Sequence, residues 1–144
     1  MEKLNYINVR DLQDFPSFHD AELFQIEHRR DDRELELGFR RVNGEIEFLL
    51  FTQVISQRMV DFTEQNVASR LLLSPKHSFS VSEVRTLIGW VRSYTDSKPA
   101  SVSDEQVEQL HHALLEGTAT LFTLDPSCGA EMVVLCESAW LRQR

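Results

Sequence analysis

"RELELGFRRVNGEIEFLLFT", residues 33–52, alternates apolar and polar positions on both sides of Asn43-Gly44. That dipeptide is the strongest short-range signal for a two-residue type I′ hairpin turn, because both central residues need positive φ. A turn there sets Phe39 opposite Phe48, Leu37 opposite Leu50, Leu35 opposite Thr52 and Arg40 opposite Glu47. One face of the pair is then apolar and the other carries a cross-strand ion pair, the pattern of a half-buried antiparallel sheet.

Upstream, "LFQIEHRRDD" (residues 23–32) supplies a neighbouring strand, with a turn at Arg30-Asp31-Asp32-Arg33. Centring the hairpin on that turn makes Phe24 face Phe39, Ile26 face Leu37 and His28 face Leu35. Two separate turn readings thus assign the same middle-strand residues to one face, and such agreement between levels marks a three-stranded meander. By the same register Glu22 lies opposite Arg41, which predicts an ion pair at the sheet margin.

Downstream, "EIEFLLFTQVISQRMVDF" stays β-favouring to about Phe62, so the third strand is long or continues through a bulge, and it is central. "NVASRLLLS" reads as a further strand ended by Ser74-Pro75. The period then changes. Ser80 with Glu83 forms a capping box, Phe79 and Val84 a hydrophobic staple, and Val81, Val84, Leu87, Ile88 and Val91 a helical stripe. The signature recurs at Ser103 with Gln106, stapled by Val102 and Val107, and runs through Leu110, His111, Leu114 and Leu115 to Gly117. "TATLFTLDPSCGAEMVVLCESAW" is two strands about a Pro126–Gly129 turn. The expected fold is a single α+β domain over residues 1–144. Its antiparallel sheet has about five or six strands, with the two helices packed on the face lined by Phe24, Ile26, Leu37, Phe39, Phe48 and Leu50.

Composition bounds the function. A chain of 144 residues, 42% apolar and 26% charged, is long enough to bury a core without disulfides or a structural metal. The formal charge of −8 divides evenly between the two halves and leaves no basic patch, so nucleic acid is not an expected partner. Cys128 and Cys136 lack metal-ligand spacing and read as reduced thiols. No stretch has the length of a signal-peptide core or a membrane span, which points to the cytoplasm.

"FHDAEL", residues 18–23, concentrates the residue types that bind metals and move protons. If it is extended, its side chains alternate, so Asp20 and Glu22 point one way and His19 the other, which rules out a metal triad. Asp20 and Glu22 beside Arg41 then form a charge-balanced sheet edge. The linker "DFTEQN" adds Asp61 and Asn66, whose expected role is bonding to local backbone. His111 and His112 are about 100° apart on a helix and do not suit one metal ion. Cys128 lies in an exposed turn with no histidine assigned to it. Glycine-rich phosphate loops, G-x-S-x-G, H-E-x-x-H and CxxC are all missing from the sequence, and no cofactor is expected.

The string "SFHDAEL", followed by "LELGFRRVNGEIEFLLFTQVISQRMVDFTEQN" and later "DPSCGAEMVVLCES", resembles small uncharacterised bacterial proteins that open on an H-D-x-x motif before a β-meander. Some of these are taken to be immunity proteins, which bind and block a toxin from a neighbouring gene. The resemblance implies an acidic binding module and assigns no catalytic residues.

Two functions are therefore set against each other. The first is a non-enzymatic interaction protein, an immunity-type inhibitor whose charge suits a basic partner. The second is a small-molecule binder or hydrolase with a polar site at the sheet end, built from Asp20, Glu22, Arg41, Asp61 and Asn66. A homodimer, through an exposed sheet edge or through Trp90 and Tyr94, is compatible with either.

Overall fold

A computed structural model describes residues 5–98 and 100–142. The elements are β1 (Tyr6–Asn8), β2 (Glu22–Arg29), β3 (Glu34–Arg40), β4 (Ile46–Val60), β5 (Val67–Leu73), α1 (Val81–Val91), α2 (Asp104–Glu116), β6 (Thr120–Cys128) and β7 (Glu131–Arg142). The fold is α+β with one antiparallel sheet, as expected, but with seven strands. The additional strand is β1, whose three residues are too few for alternation to mark them.

β7 pairs with β4 along one edge and with β6, then β1, along the other. The order β7-β4-β3-β2-β5-β6 therefore closes on itself as a barrel. The seam is narrow. Glu22 pairs with Val67, the N–H groups of Asp20 and Leu23 donate to the carbonyls of Ala68 and Asn66, and Ala68 N–H donates to Ala21, each at 2.8 Å.

The β3–β4 register is one residue away from the expected one, with Leu37 opposite Leu49, Gly38 opposite Phe48 and Phe39 opposite Glu47. Gly44 has φ of 89°, and Asn43 is not among the positive-φ residues. Arg41 N–H donates to Glu45 O and Gly44 N–H to Arg41 O, both at 2.8 Å. This is a three-residue loop ending in a G1 bulge rather than a two-residue type I′ turn. A one-residue slip exchanges the faces of a strand. Leu35, Leu37 and Phe39 accordingly point inward with Leu49 and Phe51, while Phe48 and Leu50 lie outside, opposite Gly38 and Glu36.

In β2 the predicted pairs Ile26–Leu37 and His28–Leu35 form, but a bulge between Leu23 and Gln25 puts Leu23 opposite Phe39. Phe24 becomes the inserted residue, its ring edge-on to Phe48 at 6.2 Å between centroids. β4 is long, central and bulged between Val54 and Ser56, as its sequence suggests.

Inside the barrel Phe18 meets Phe39 at 5.3 Å and Phe51 meets Phe122 at 4.8 Å between ring centroids. Phe39, Phe51 and Phe122 are wholly buried, and each such side chain contributes about 1.5–3 kcal/mol of transfer free energy. Both helices open on the predicted capping boxes, and Gly117 ends α2 at φ 80°. They pack on one face of the sheet, but it is the outer face of β5–β7. There Leu72, Leu121, Val133 and Leu135 meet Phe79, Val84, Ile88, Val107 and Leu114. The face carrying Leu37 and Phe39 is filled by the barrel's own side chains and is closed to the helices. Phe24 and Ile26, expected under the helices, are each 37% exposed. No helix among the described residues is long and apolar enough to cross a membrane.

Candidate functional site

Of the five residues singled out in the sequence, Asp20, Glu22 and Asn66 stand at the seam where the sheet closes, through the pairing of Glu22 with Val67 and the backbone bonds of Asp20 and Asn66. Residues 18–21 are a turn closed by Ala21 N–H on Phe18 O at 2.9 Å, with Asp20 at φ 61°. Phe18 and Ala21 are buried while His19 and Asp20 are exposed. The stretch is therefore not yet extended at His19, and the expected separation of His19 from Asp20 does not hold. His19 Nδ1 donates to Ser69 O at 2.8 Å, and its Nε2 lies 3.5 Å from the Asp20 carboxylate.

Glu22 pairs with Arg40 at 3.7 Å, not with Arg41, because the β2 bulge moves the register by one. Arg41 instead holds Glu45 at 3.0 Å and Glu47 at 3.4 Å, and its Nε donates to Ser17 O at 3.2 Å. Asn66 is buried. Its Oδ1 accepts from Thr63 N–H at 2.9 Å and Ala130 N–H at 3.0 Å, and its Nδ2 donates to Thr63 O at 2.7 Å. The backbone-bonding role expected of Asn66 is thus the observed one. Asp61 is exposed at φ 61°. Of the five, Asn66 ties the start of β5 to the β6–β7 turn. None of the five lines the concavities described next.

A groove of about 270 Å³ lies between the first turns of α1 and the outer face of β5 and β6. Leu72, Phe79 and Leu87 supply its apolar wall, Ser82 and Thr86 its hydroxyls, and the Arg70–Asp125 pair, 2.7 Å apart, its rim. Thr123 also lines it, is 3% exposed, and has a hydroxyl without a hydrogen-bond partner. At the α1 end the Ser80 N–H bonded to Glu83 holds that carboxyl below the usual carboxylate range against a smaller effect of burial, and His77 nearby adds to the lowering. The signal for this groove was present in the sequence, since Arg70 and Asp125 are the lone charged residues of their strands.

A second polar cluster covers the outer sheet. The Tyr6 hydroxyl donates to the buried Glu36 carboxylate at 2.6 Å. Arg29 holds Glu27 at 2.9 Å and Glu34 at 3.1 Å, with Glu36 at 3.9 Å. Burial, and then the Glu36 carboxylate, push the Tyr6 phenol up. Of the other candidates, His111 and His77 line a concavity of about 80 Å³, and exposed His112 contacts Glu116. His28, expected on the core face, is exposed beside the open end of the seam. Cys128 is exposed and Cys136 buried, and burial pushes the Cys136 thiol well above its ordinary range. Among the described residues no group of three or more His, Cys, Asp or Glu is placed to hold a metal ion.

The cations are largely engaged within the chain. Arg29, Arg40, Arg41, Arg58, Arg70 and Arg85 each sit in an ion pair. Arg10, Arg33 and Lys76 donate to backbone carbonyls, and Arg142 lies over the Phe48 ring at 3.6 Å. Asp31, Asp32, Asp61, Glu64, Glu108 and Glu131 are exposed and form no ion pair among the described residues. α2 carries Asp104, Glu105, Glu108 and Glu116 and no lysine or arginine. Comparison with protein-family models, curated proteins and solved structures finds no match.

Proposed function

We propose that the protein is a non-enzymatic interaction module of immunity type, which binds and blocks a basic partner protein in the cytoplasm. The observation that carries this reading is the balance of its charges: six arginines sit in ion pairs, while Asp31, Asp32, Asp61, Glu64, Glu108 and Glu131 are exposed and form no ion pair among the described residues. Such a surface presents a negative potential that its own cations do not neutralise, and a basic partner is drawn to it over about a Debye length. α2, acidic along its exposed face, is the element on which the partner docks.

The test is affinity capture from the source cell, followed by association kinetics of the captured protein in a salt series. The expected partner is basic, with an association rate that falls at least about tenfold between low and high salt. Replacing Glu105 and Glu108 by lysine slows association further. An acidic partner, a rate indifferent to salt, or no partner at all contradicts the reading.

A further inference from the structure

We propose that the free edge of β2 is a self-association surface, on which a second copy of this chain pairs antiparallel about a two-fold axis at Ile26; this goes beyond the docking of a basic partner and does not depend on it. β2 pairs with β3 along one edge from Glu22 to Arg29, interrupted by the bulge at Phe24. Along the other, β5 pairs only at Glu22, because β5 runs past the N-terminal end of β2. Among the described residues no strand covers Phe24–His28 on that side, and all five residues are exposed. A strand edge of this length presents unpaired N–H and C=O groups, and natural edges of this kind are blocked by charge, proline or a covering segment. Here Glu27 is the one charged residue among the five unless His28 is protonated, Phe24 and Ile26 are each 37% exposed, the one bulge lies at Phe24, and there is no proline.

The occupant follows from the order of residues along the edge. With the axis at Ile26, Ile26 faces Ile26 of the second copy and Gln25 faces Glu27, with Phe24 set out of the ladder by its bulge. No like charges stand opposite one another, and each carboxylate meets an amide that can donate to it. Moving the axis by one residue toward the C-terminus sets Glu27 against Glu27, which a pair of strands avoids. The register centred on Ile26 is therefore self-complementary. The other route to a dimer considered from the sequence is weaker, since Arg58 already lies over the Trp90 ring at 4.4 Å.

Salt separates this contact from the docking of a basic partner. Two chains of charge −8 repel, so screening strengthens self-association and weakens attachment of a basic protein. The experiment is sedimentation equilibrium of the full chain from about 1 µM to about 1 mM, the range over which weak self-association is read. The mass is expected to rise from one chain to two, more readily at high salt. Ile26→Lys is expected to stay a single chain throughout with an unchanged melting temperature. In a Cys128→Ser background, Ile26→Cys is expected to form an intermolecular disulfide under mild oxidation, and Phe62→Cys, exposed elsewhere, is not. A wild-type chain that is monomeric at the highest concentration, a dimer that survives folded Ile26→Lys, or equal cross-linking by the two cysteine variants overturns the proposal. If Ile26→Lys fails to fold, the cross-linking comparison decides.

Discussion

The Asn66 side-chain oxygen accepts the backbone N–H of Ala130 at 3.0 Å, tying the start of β5 to the turn between β6 and β7. The same amide closes the 63–66 turn through Thr63. Asn66→Ala removes these bonds and leaves the buried Ala130 N–H unpaired, a loss of about 2–3 kcal/mol. The melting temperature should fall by about 6–9 °C, and a drop below about 2 °C in a thermal melt would sink the stitching role. Gly129 is the companion site. A Cβ there would lie 2.5 Å from Asn66 Oδ1 and from Gln65 O, at φ 78°. Gly129→Ala should cost at least about 3 kcal/mol, more than Gly44→Ala, where no atom lies within 4 Å of the added carbon.

Tyr6 and Glu36 give a pH signature. The hydroxyl donates to a buried carboxylate, and such bonds to charged groups contribute about 1.5–3 kcal/mol. Burial raises the folded-state phenol above its ordinary value. The stabilisation is therefore complete below the unfolded value of about 10 and is lost as pH rises through the folded one. Tyr6→Phe should melt well below the wild type at pH 7, and the gap should narrow above about pH 10. A gap that stays constant to high pH would refute the linkage.

Thr123 holds a buried hydroxyl with no partner, facing the groove beneath α1. Valine has nearly the same shape and suits a strand better, so Thr123→Val should stabilise the fold by about 1 kcal/mol. A loss of stability in chemical denaturation would show that the hydroxyl is satisfied after all.

The two cysteines should separate cleanly by reactivity. Cys136 is buried and its thiol is held protonated, whereas Cys128 is exposed. Only the thiolate attacks. A thiol reagent should label one site on the native chain, Cys128, and both after denaturation. Rapid labelling of Cys136 in the native state would contradict the packing of β7 against β4 and β6.

Local chemistry was legible in the sequence because it acts over a few residues. Ser80 with Glu83, Ser103 with Gln106, and Gly117 each satisfy orphan backbone groups of their own helix, and each stands where it was read. The alternation that marks β3 and β4, and the end of β5 before Ser74-Pro75, are likewise properties of short runs. The hairpin registers were only partly legible. A G1 bulge at Gly44 and a bulge at Phe24 each shift pairing by one residue, and nothing in an Asn-Gly pair distinguishes the two turn types. The first exchanged the faces of β4, and the second moved Glu22 from Arg41 to Arg40.

By itself, then, the sequence determined that this chain is an acidic α+β protein with a β-meander, two capped helices and a late hairpin. Only the tertiary structure decided that the sheet closes through β6 and β7, that the helices sit outside the ring, and that "FHDAEL" is the seam which completes it. The reason is distance along the chain. Asp20 meets Ala68, Asn66 meets Ala130, and Tyr6 meets Glu36 through bonds whose partners no short-range periodicity specifies, and these contacts give the polar residues their positions.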